Sequence, residues 1–211
     1  MMPYGSFESV EEVAERFDIE VKMEPFAGET ELMIPENHFS RLRTKLTDSA
    51  YFINEHAVCQ HIITPILDLV VEKYEPLRVW SHVPFNVDKG KDLAGEPDYL
   101  IAPKTKYGGM AVPPLCVIEA RKEKFDQGWA QALAEMVAAS MLGAKVCYGV
   151  VTTGRIWEFG RLEDKLFIRD PDQISATREL QEIFNMLNWL FGKADACIRR
   201  NPSCCALQIE Q

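Results

Sequence analysis

Two short segments in the middle of the chain carry acidic residues where a metal ion could be held. They are residues 95–98 (GEPD) and residues 118–122 (IEARK). Asp98 opens one predicted strand and Glu119 ends the next. If these strands pair antiparallel, the two carboxylates face each other with Cβ atoms about 4.5–5.5 Å apart. Carboxylates that close repel unless a cation lies between them, and hard oxygen ligands suit Mg²⁺ or Mn²⁺.

Two basic residues follow Glu119. Because side chains alternate along a strand, we expect Arg121 on the same face as Glu119 and Lys122 on the opposite face, unless a bulge turns Lys122 toward the site. Arginine stays charged and cannot act as a base, whereas lysine can shift its pKa. A cation at position 121 would then point into the same site as Glu119.

The elements that must position these residues follow from hydrophobic periodicity. Helical spacing predicts helices at residues 8–17, 49–74, 126–142 and 174–191. Pro65 should kink or split the second helix, Asp126 should cap the third, and Gly143 and Gly192 should end the third and fourth. Apolar runs predict strands at residues 77–85, 99–101, 115–118, 146–151, 155–159 and 166–168. This order predicts an α/β fold in which helices pack on a central mixed sheet.

Length and charge limit the class of protein. A chain of 211 residues, 47% hydrophobic and 26% charged, suits one main domain. We place it at residues 49–192, with an N-terminal extension at 1–48 that packs on the core and a C-terminal tail at 193–211. The net charge of −9 argues against binding DNA or an anionic membrane by charge alone. No apolar run is long enough to span a bilayer, and no secretory signal is visible.

The six cysteines show neither a CxxC pair nor the spacing of a zinc site. Cys116 and Cys147 fall in apolar runs typical of strands, where a thiol behaves as a small hydrophobic group. We therefore expect a reducing, cytoplasmic compartment for this protein.

Residues 97–98 (PD) and 119–122 (EARK), in this strand order, resemble the signature of the PD-(D/E)xK nuclease superfamily. The resemblance covers roughly residues 49–160. The chain is most similar to small bacterial proteins related to type I restriction nuclease domains, in which a helix rich in Gln and Trp follows the motif. Residues 127–131 (QGWAQ) match that feature. The resemblance implies a restriction-endonuclease-like core, a central mixed sheet flanked by helices in the order αβββαβ.

The resemblance also implies an activity and a set of site residues. Asp98 and Glu119 would bind Mg²⁺ or Mn²⁺, with Glu55 from the first helix beside the ion. The protein would be a metal-dependent nuclease that hydrolyses phosphodiester bonds of nucleic acid, with DNA favoured. The family normally carries lysine where Arg121 stands, so Lys122 is the candidate to replace that lysine.

Three further residues are candidate contacts with nucleic acid, namely Gln127, Gln131 and Lys124. Gln131 has a structural alternative, and Glu55 also suits a helix start, where a carboxylate is favourable. Glu55 lies on the apolar stripe of its predicted helix, where a carboxylate needs a partner. Cutting both strands of a duplex would favour a homodimer.

Two other interpretations remain open. The domain can be a non-catalytic member of the nuclease fold that binds nucleic acid or a protein partner, which the arginine at position 121 and the net charge of −9 favour. It can also be an unrelated α/β domain whose motif is accidental. In that case Asp98 and Glu119 would lie far apart.

Overall fold

The computed structural model describes residues 4–121 and 124–200, which form an α/β fold with one mixed eight-stranded sheet flanked by helices. Lys122 and the tail residues 201–211 lie outside the described residues. The helices are α1 (Val10–Phe17), α2 (Glu36–Thr47), α3 (Glu55–Val58), α4 (Thr64–Val71), α5 (Phe125–Met141) and α6 (Ala176–Arg200). The strands are β1 (Glu20–Met23), β2 (Leu77–Ser81), β3 (Tyr99–Pro103), β4 (Cys116–Ala120), β5 (Val146–Thr152), β6 (Ile156–Glu163), β7 (Leu166–Arg169) and β8 (Ile174–Ser175).

The sheet runs in the order β1-β7-β6-β5-β4-β3-β2, with β8 paired to β6. Strands β2, β3 and β4 pair antiparallel, and α5 then carries the chain to β5, which lies parallel to β4. Every residue of β3 and β4 is buried. Because both faces of these strands are buried, their sequences are continuous apolar runs and do not alternate between apolar and polar residues.

Two hydrophobic cores lie on opposite faces of the sheet. One joins α2, α4 and α6 to inward residues such as Tyr99 and Ile118. The other joins α5 and α1 to residues such as Leu100 and Val117, and Tyr4 and other residues of the N-terminal extension pack into it. Because neighbours on a strand point to opposite faces, Asp98 and Glu119 fall on the α5 side.

The predicted helix over residues 49–74 is split, as Pro65 led us to expect. A 3₁₀ turn (Ser49–Phe52) precedes α3, and a π-helical turn (Cys59–Ile63) separates α3 from α4. Pro65 lies in the first turn of α4 and has no N–H to donate to the preceding helical turn. The His61 carbonyl, four residues earlier, accepts a hydrogen bond from Lys45 Nζ at 3.1 Å instead. The predictions for α1 and for β2 to β7 are confirmed, with shifts of a few residues at their ends. Strands β1 and β8 were not predicted, and Ile174 and Ser175, which were expected in the last helix, form β8.

One helix was not predicted, and two helix boundaries differ from the predictions. Helix α2 was not predicted, since only two of its residues, Leu42 and Leu46, are buried. Helix α5 begins after Lys124 in a left-handed conformation rather than with Asp126 as its cap. Helix α6 continues through Gly192, so residues 193–200 are helical and not tail.

The glycine at position 192 serves packing rather than helix termination. A Cβ there would lie 3.1 Å from Tyr74 Oη, so glycine lets the Tyr74 ring approach α6. Gly143, in contrast, has a φ of +100° directly after α5, and the prediction that it ends this helix is confirmed.

Cys116 and Cys147 are buried free thiols on β4 and β5, as expected from their apolar surroundings. The compartment stays a prediction. None of the helices in the described residues combines the length and apolar character needed to cross a membrane.

Candidate active site

Asp98 and Glu119 lie side by side at one end of the β3–β4 pair. The antiparallel register pairs Tyr99 with Ile118. One step further along the two strands, Asp98 stands opposite Glu119. The Asp98 N–H donates to Glu119 Oε1 at 3.3 Å, and Asp98 Oδ2 accepts the Ala120 N–H at 2.9 Å. The strand pairing thus brings together the two carboxyl groups that were predicted to form the site.

Arg121 adds a cation to this pair. Its Nη2 donates to Glu119 Oε2 at 3.2 Å and also to Gln131 Oε1 on α5. The expectation that Arg121 faces the same side as Glu119 is confirmed. The stem of Arg121 lies against Gly128, where a Cβ would come within 2.9 Å of Arg121 Cγ and 2.7 Å of Val151 Cγ1. Glycine at position 128 therefore leaves the space that the arginine side chain occupies.

Glu135 contributes a third carboxyl group whose place in the site was not predicted. It is fully buried on α5, its Oε1 accepts a hydrogen bond from Gln131 Nε2 at 3.0 Å, and its negative charge acts on Glu119. The available signal was the spacing of Gln127, Gln131 and Glu135 at every fourth residue, which puts them on one helix face. That spacing does not show that this helix face is exposed at Gln127 and buried at Glu135.

Burial raises the pKa of each carboxyl group around Arg121. The pKa of Glu119 is raised well above its ordinary value, first by burial and then by the negative charges of Glu135 and Asp98. Burial raises the pKa of Glu135 to about 8. Burial also raises the pKa of Asp98 and Glu55, while the Arg121 guanidinium lowers the pKa of all four groups. At neutral pH the Glu119–Glu135 pair therefore retains at least one proton.

Glu55 and His82 lie at the margin of the cluster. Glu55 is the first residue of α3 and is half-buried, so its position suits both a helix start and a site carboxylate. Its electrostatic neighbours are Asp98, Arg121 and His82. His82 Nδ1 lies 3.8 Å from Asp98 Oδ1, although the sequence pattern had assigned this histidine no role in the site.

The predicted nucleic-acid contacts occupy different environments. Gln127 is exposed and Gln131 is half-buried, and both line a cleft beside Arg121. The Gln131 amide bridges Arg121 and Glu135, so it organises the site directly. Lys124 is exposed at the start of α5 with a φ of +76°. The role suggested for Lys122 falls outside the described residues.

The cleft has a volume of about 1010 Å³. Residues 4–8 form one wall, which is anchored because Tyr4 Oη donates to the Phe85 carbonyl at 2.8 Å. The charged residues of its lining are Lys89, Arg121, Glu8, Asp92 and Glu96. Acidic groups outnumber basic ones there, so charge alone does not draw a polyanion into the cleft.

Oxygen donors in this cluster suit a hard divalent cation such as Mg²⁺ or Mn²⁺. Glu135 Oε2 is buried and has no hydrogen-bond partner within the described ranges, so one donor is available. Across those same ranges, no three His, Cys, Asp or Glu side chains form a group ready to hold a metal ion. Arg121 already hydrogen-bonds Glu119, so a metal ion bound at this carboxylate would have to compete with the guanidinium.

Trp129 and Trp157 are core residues. Trp129 Nε1 donates to Glu158 Oε2 at 2.5 Å, and Arg169 Nη2 donates to the same oxygen at 2.6 Å. This buried network ties α5 to β6 and β7, and it therefore holds in place the helix that carries Gln131 and Glu135.

No family model matches this chain, and no curated protein matches it significantly. The wide separation of Asp98 from Glu119 that would mark the motif as accidental is not found, since these two residues are in contact. Membership of the PD-(D/E)xK superfamily stays a prediction.

Proposed function

We propose that this protein is a metal-dependent nuclease that hydrolyses phosphodiester bonds of nucleic acid, with DNA as the favoured substrate. The observation that carries this proposal is the carboxyl cluster at the end of β3 and β4. Asp98 and Glu119 are in contact there, Glu135 and Glu55 lie beside them, and Arg121 faces the adjoining cleft. Such a cluster is unfavourable without a cation, and a cation bound by carboxylates in a cleft suits phosphoryl chemistry.

The order of elements supports a restriction-endonuclease-like core. The α3–α4 segment leads into an antiparallel meander of three strands, β2 to β4. Helix α5 then crosses to β5, which pairs parallel with β4. This is the αβββαβ order that the proposed family requires, and the remaining strands extend the sheet beyond β5.

Each residue of the cluster has a chemical role in this proposal. Asp98 and Glu119 hold Mg²⁺ or Mn²⁺, with Glu135 and Glu55 supplying further carboxylates on either side. The bound ion would supply Lewis-acid polarisation of the scissile phosphate. Arg121 neutralises negative charge on the phosphate and does not act as a base, because its guanidinium stays protonated.

Cleavage of labelled single- and double-stranded DNA with Mg²⁺ or Mn²⁺ tests this function. We expect wild type to cleave, and Asp98→Asn and Glu119→Gln to lose at least 99% of the rate, about 3 kcal/mol or more of transition-state stabilisation. Asp48→Asn is a matched control, because Asp48 Oδ1 also accepts a backbone N–H at 2.9 Å but lies outside the cluster. Cleavage of both strands together with a dimeric mass in solution would support a homodimer.

A result in which folded wild type does not cleave with either metal would contradict nuclease activity of the isolated chain. Equal rates in wild type and Asp98→Asn would contradict the site assignment instead. Either outcome is interpreted only after a thermal unfolding transition shows that wild type and the variants are folded.

A second candidate is a non-catalytic module of the same fold that binds nucleic acid or a protein partner. The ion pair between Arg121 and Glu119 favours it, because a protein cation already neutralises the cluster. Binding of an oligonucleotide without any metal requirement, with no cleavage, would support this second function.

A further inference from the structure

Arg121 serves the cluster as a cation built into the protein. Its Nη2 contacts both Glu119 Oε2 and Gln131 Oε1. Its charge acts on four carboxyl groups that come from three different elements and one loop, namely Glu55, Asp98, Glu119 and Glu135. A divalent metal ion that binds Glu119 would therefore compete with the guanidinium for the same oxygen.

The arrangement leaves one donor and one acceptor unused inside the same site. Arg121 Nε and Glu135 Oε2 are buried, and neither has a hydrogen-bond partner in the described part of the chain. Buried polar groups are normally paired, because an unpaired group loses its hydration without compensation. The unpaired acceptor suits a cation at Glu135, and the unpaired donor suits an anion at Arg121.

The Arg121 side chain has room to move. It is one-quarter exposed and lines the cleft of about 1010 Å³ beside Gln127 and Gln131. Its stem runs along Gly128, which presents no side chain to block it. Rotation about the outer bonds of the arginine side chain is the movement that would carry the guanidinium from Glu119 into the cleft.

We propose that Arg121 is an exchangeable counter-ion: a divalent metal ion takes its place at Glu119 while the guanidinium transfers to a phosphate group in the cleft. This inference rests on the proposed nuclease function. Metal alone would take the carboxylate partner from the guanidinium and leave it the uncharged Gln131 Oε1, and phosphate alone would compete with Glu119 for it. With both ligands present Glu119 pairs with the metal ion and the guanidinium pairs with the phosphate, so the two ligands bind cooperatively and the coupling is reciprocal.

Calorimetric titration of the full chain with Mn²⁺ tests the proposal without measuring activity. The titration is done alone and with a saturating phosphorothioate octathymidylate, corrected for Mn²⁺ that binds the oligonucleotide. For wild type we expect the oligonucleotide to raise Mn²⁺ affinity at least about tenfold, within the range of typical allosteric couplings. For Arg121→Gln we expect tighter Mn²⁺ binding than wild type in the absence of oligonucleotide, and loss of most of the coupling.

Arg161→Gln is a matched control. Arg161 is about as exposed as Arg121 and also has a buried Nε without a partner among the described residues, but it pairs with Glu163 on β6. This variant should retain the wild-type affinity and coupling. If Arg121→Gln fails to fold, Arg121→Lys replaces it, because lysine keeps the charge but lacks the planar fork, and reduced coupling is again expected.

The outcomes separate this inference from the function on which it rests. Equal Mn²⁺ affinity and equal coupling in wild type and the Arg121 variant would overturn the exchange while leaving the metal site intact. Absence of Mn²⁺ binding in wild type and in the folded Arg121 variant, with and without oligonucleotide, would overturn the proposed metal-dependent function and the exchange together.

Discussion

Glu119 on β4 and Glu135 on α5 are both fully buried in the core, and burial together with the negative charge of Glu135 raises the pKa of Glu119. At this point α5 and β4 bring two acidic groups together, within a helix–strand contact that is otherwise apolar. Such a contact is tolerated only if a proton or a cation is shared, because two buried carboxylates repel strongly. The stability of the protein and its affinity for cations should therefore be linked at this point.

The first prediction concerns pH and stability without added metal. Burial holds the pKa of Glu135 at about 8, above the ordinary value of about 4.3 that applies in the unfolded chain. A raised folded-state pKa stabilises the fold below the unfolded pKa, and this stabilisation is lost as pH rises through the folded pKa. The free energy of unfolding should therefore fall between pH 5 and 8, by up to about 1.4 kcal/mol per pH unit for each such group.

Urea unfolding at pH 5, 6.5 and 8 measures this slope. Glu135→Gln keeps an acceptor for Gln131 Nε2 but removes the charge, so the variant should show a shallower slope and gain stability relative to wild type as pH rises. Parallel curves for the two proteins would contradict the linkage.

The second prediction concerns metal affinity. Glu135→Gln should weaken Mn²⁺ binding by at least about tenfold, because a buried carboxylate beside Glu119 contributes charge and oxygen donors to the ion. Calorimetry measures the dissociation constant. Glu96→Gln is the control, since Glu96 lines the cleft but lies outside the cluster. A similar loss in both variants would mean that Glu135 acts only through general electrostatics.

The third prediction concerns the space that Arg121 needs. Gly128→Ala places a Cβ 2.7 Å from Val151 Cγ1 and 2.9 Å from Arg121 Cγ. We expect a loss of about 1–2 kcal/mol in the free energy of unfolding, because overpacking exceeds the helix-propensity gain of alanine over glycine. Adding Val151→Ala should relieve the clash with Val151 Cγ1 and leave the clash with Arg121 Cγ. A double-mutant cycle by urea unfolding would therefore show favourable coupling, and strict additivity would argue against the clash.

The fourth prediction concerns the network that anchors α5. Glu158 is buried and accepts hydrogen bonds from Trp129 and Arg169. Glu158→Gln should lower the free energy of unfolding by about 2–3 kcal/mol, because hydrogen bonds to a buried charge are lost or weakened. Glu163→Gln on the same strand, which touches a partly exposed Arg161, should change it by less than about 1 kcal/mol. Equal effects, measured by urea unfolding, would count against a special role for the buried network.

Local patterns were enough to predict much of the fold and part of the candidate site. Apolar periodicity identified α1, α5 and most strands, because burial of one face or of a whole strand leaves a regular trace in the sequence. Strand alternation placed Arg121 on the face of Glu119, and the order of elements brought Asp98 opposite Glu119. These relationships depend only on neighbours along the chain or across one strand pair.

Other features were decided by tertiary packing. Helix α2 has only a narrow buried stripe, which leaves a weak hydrophobic pattern in the sequence. Helix α6 continues past Gly192, since this glycine makes room for the Tyr74 side chain and does not end the helix. The burial of Glu135 depends on how α5 lies across β4, and helical spacing does not encode that angle. The hydrogen bond from Arg121 to Gln131 likewise depends on contact between α5 and the end of β4. The sequence by itself determined most of the elements and the pairing of Asp98 with Glu119, whereas only the tertiary structure decided which charges are desolvated together, since desolvation is a property of the assembled core.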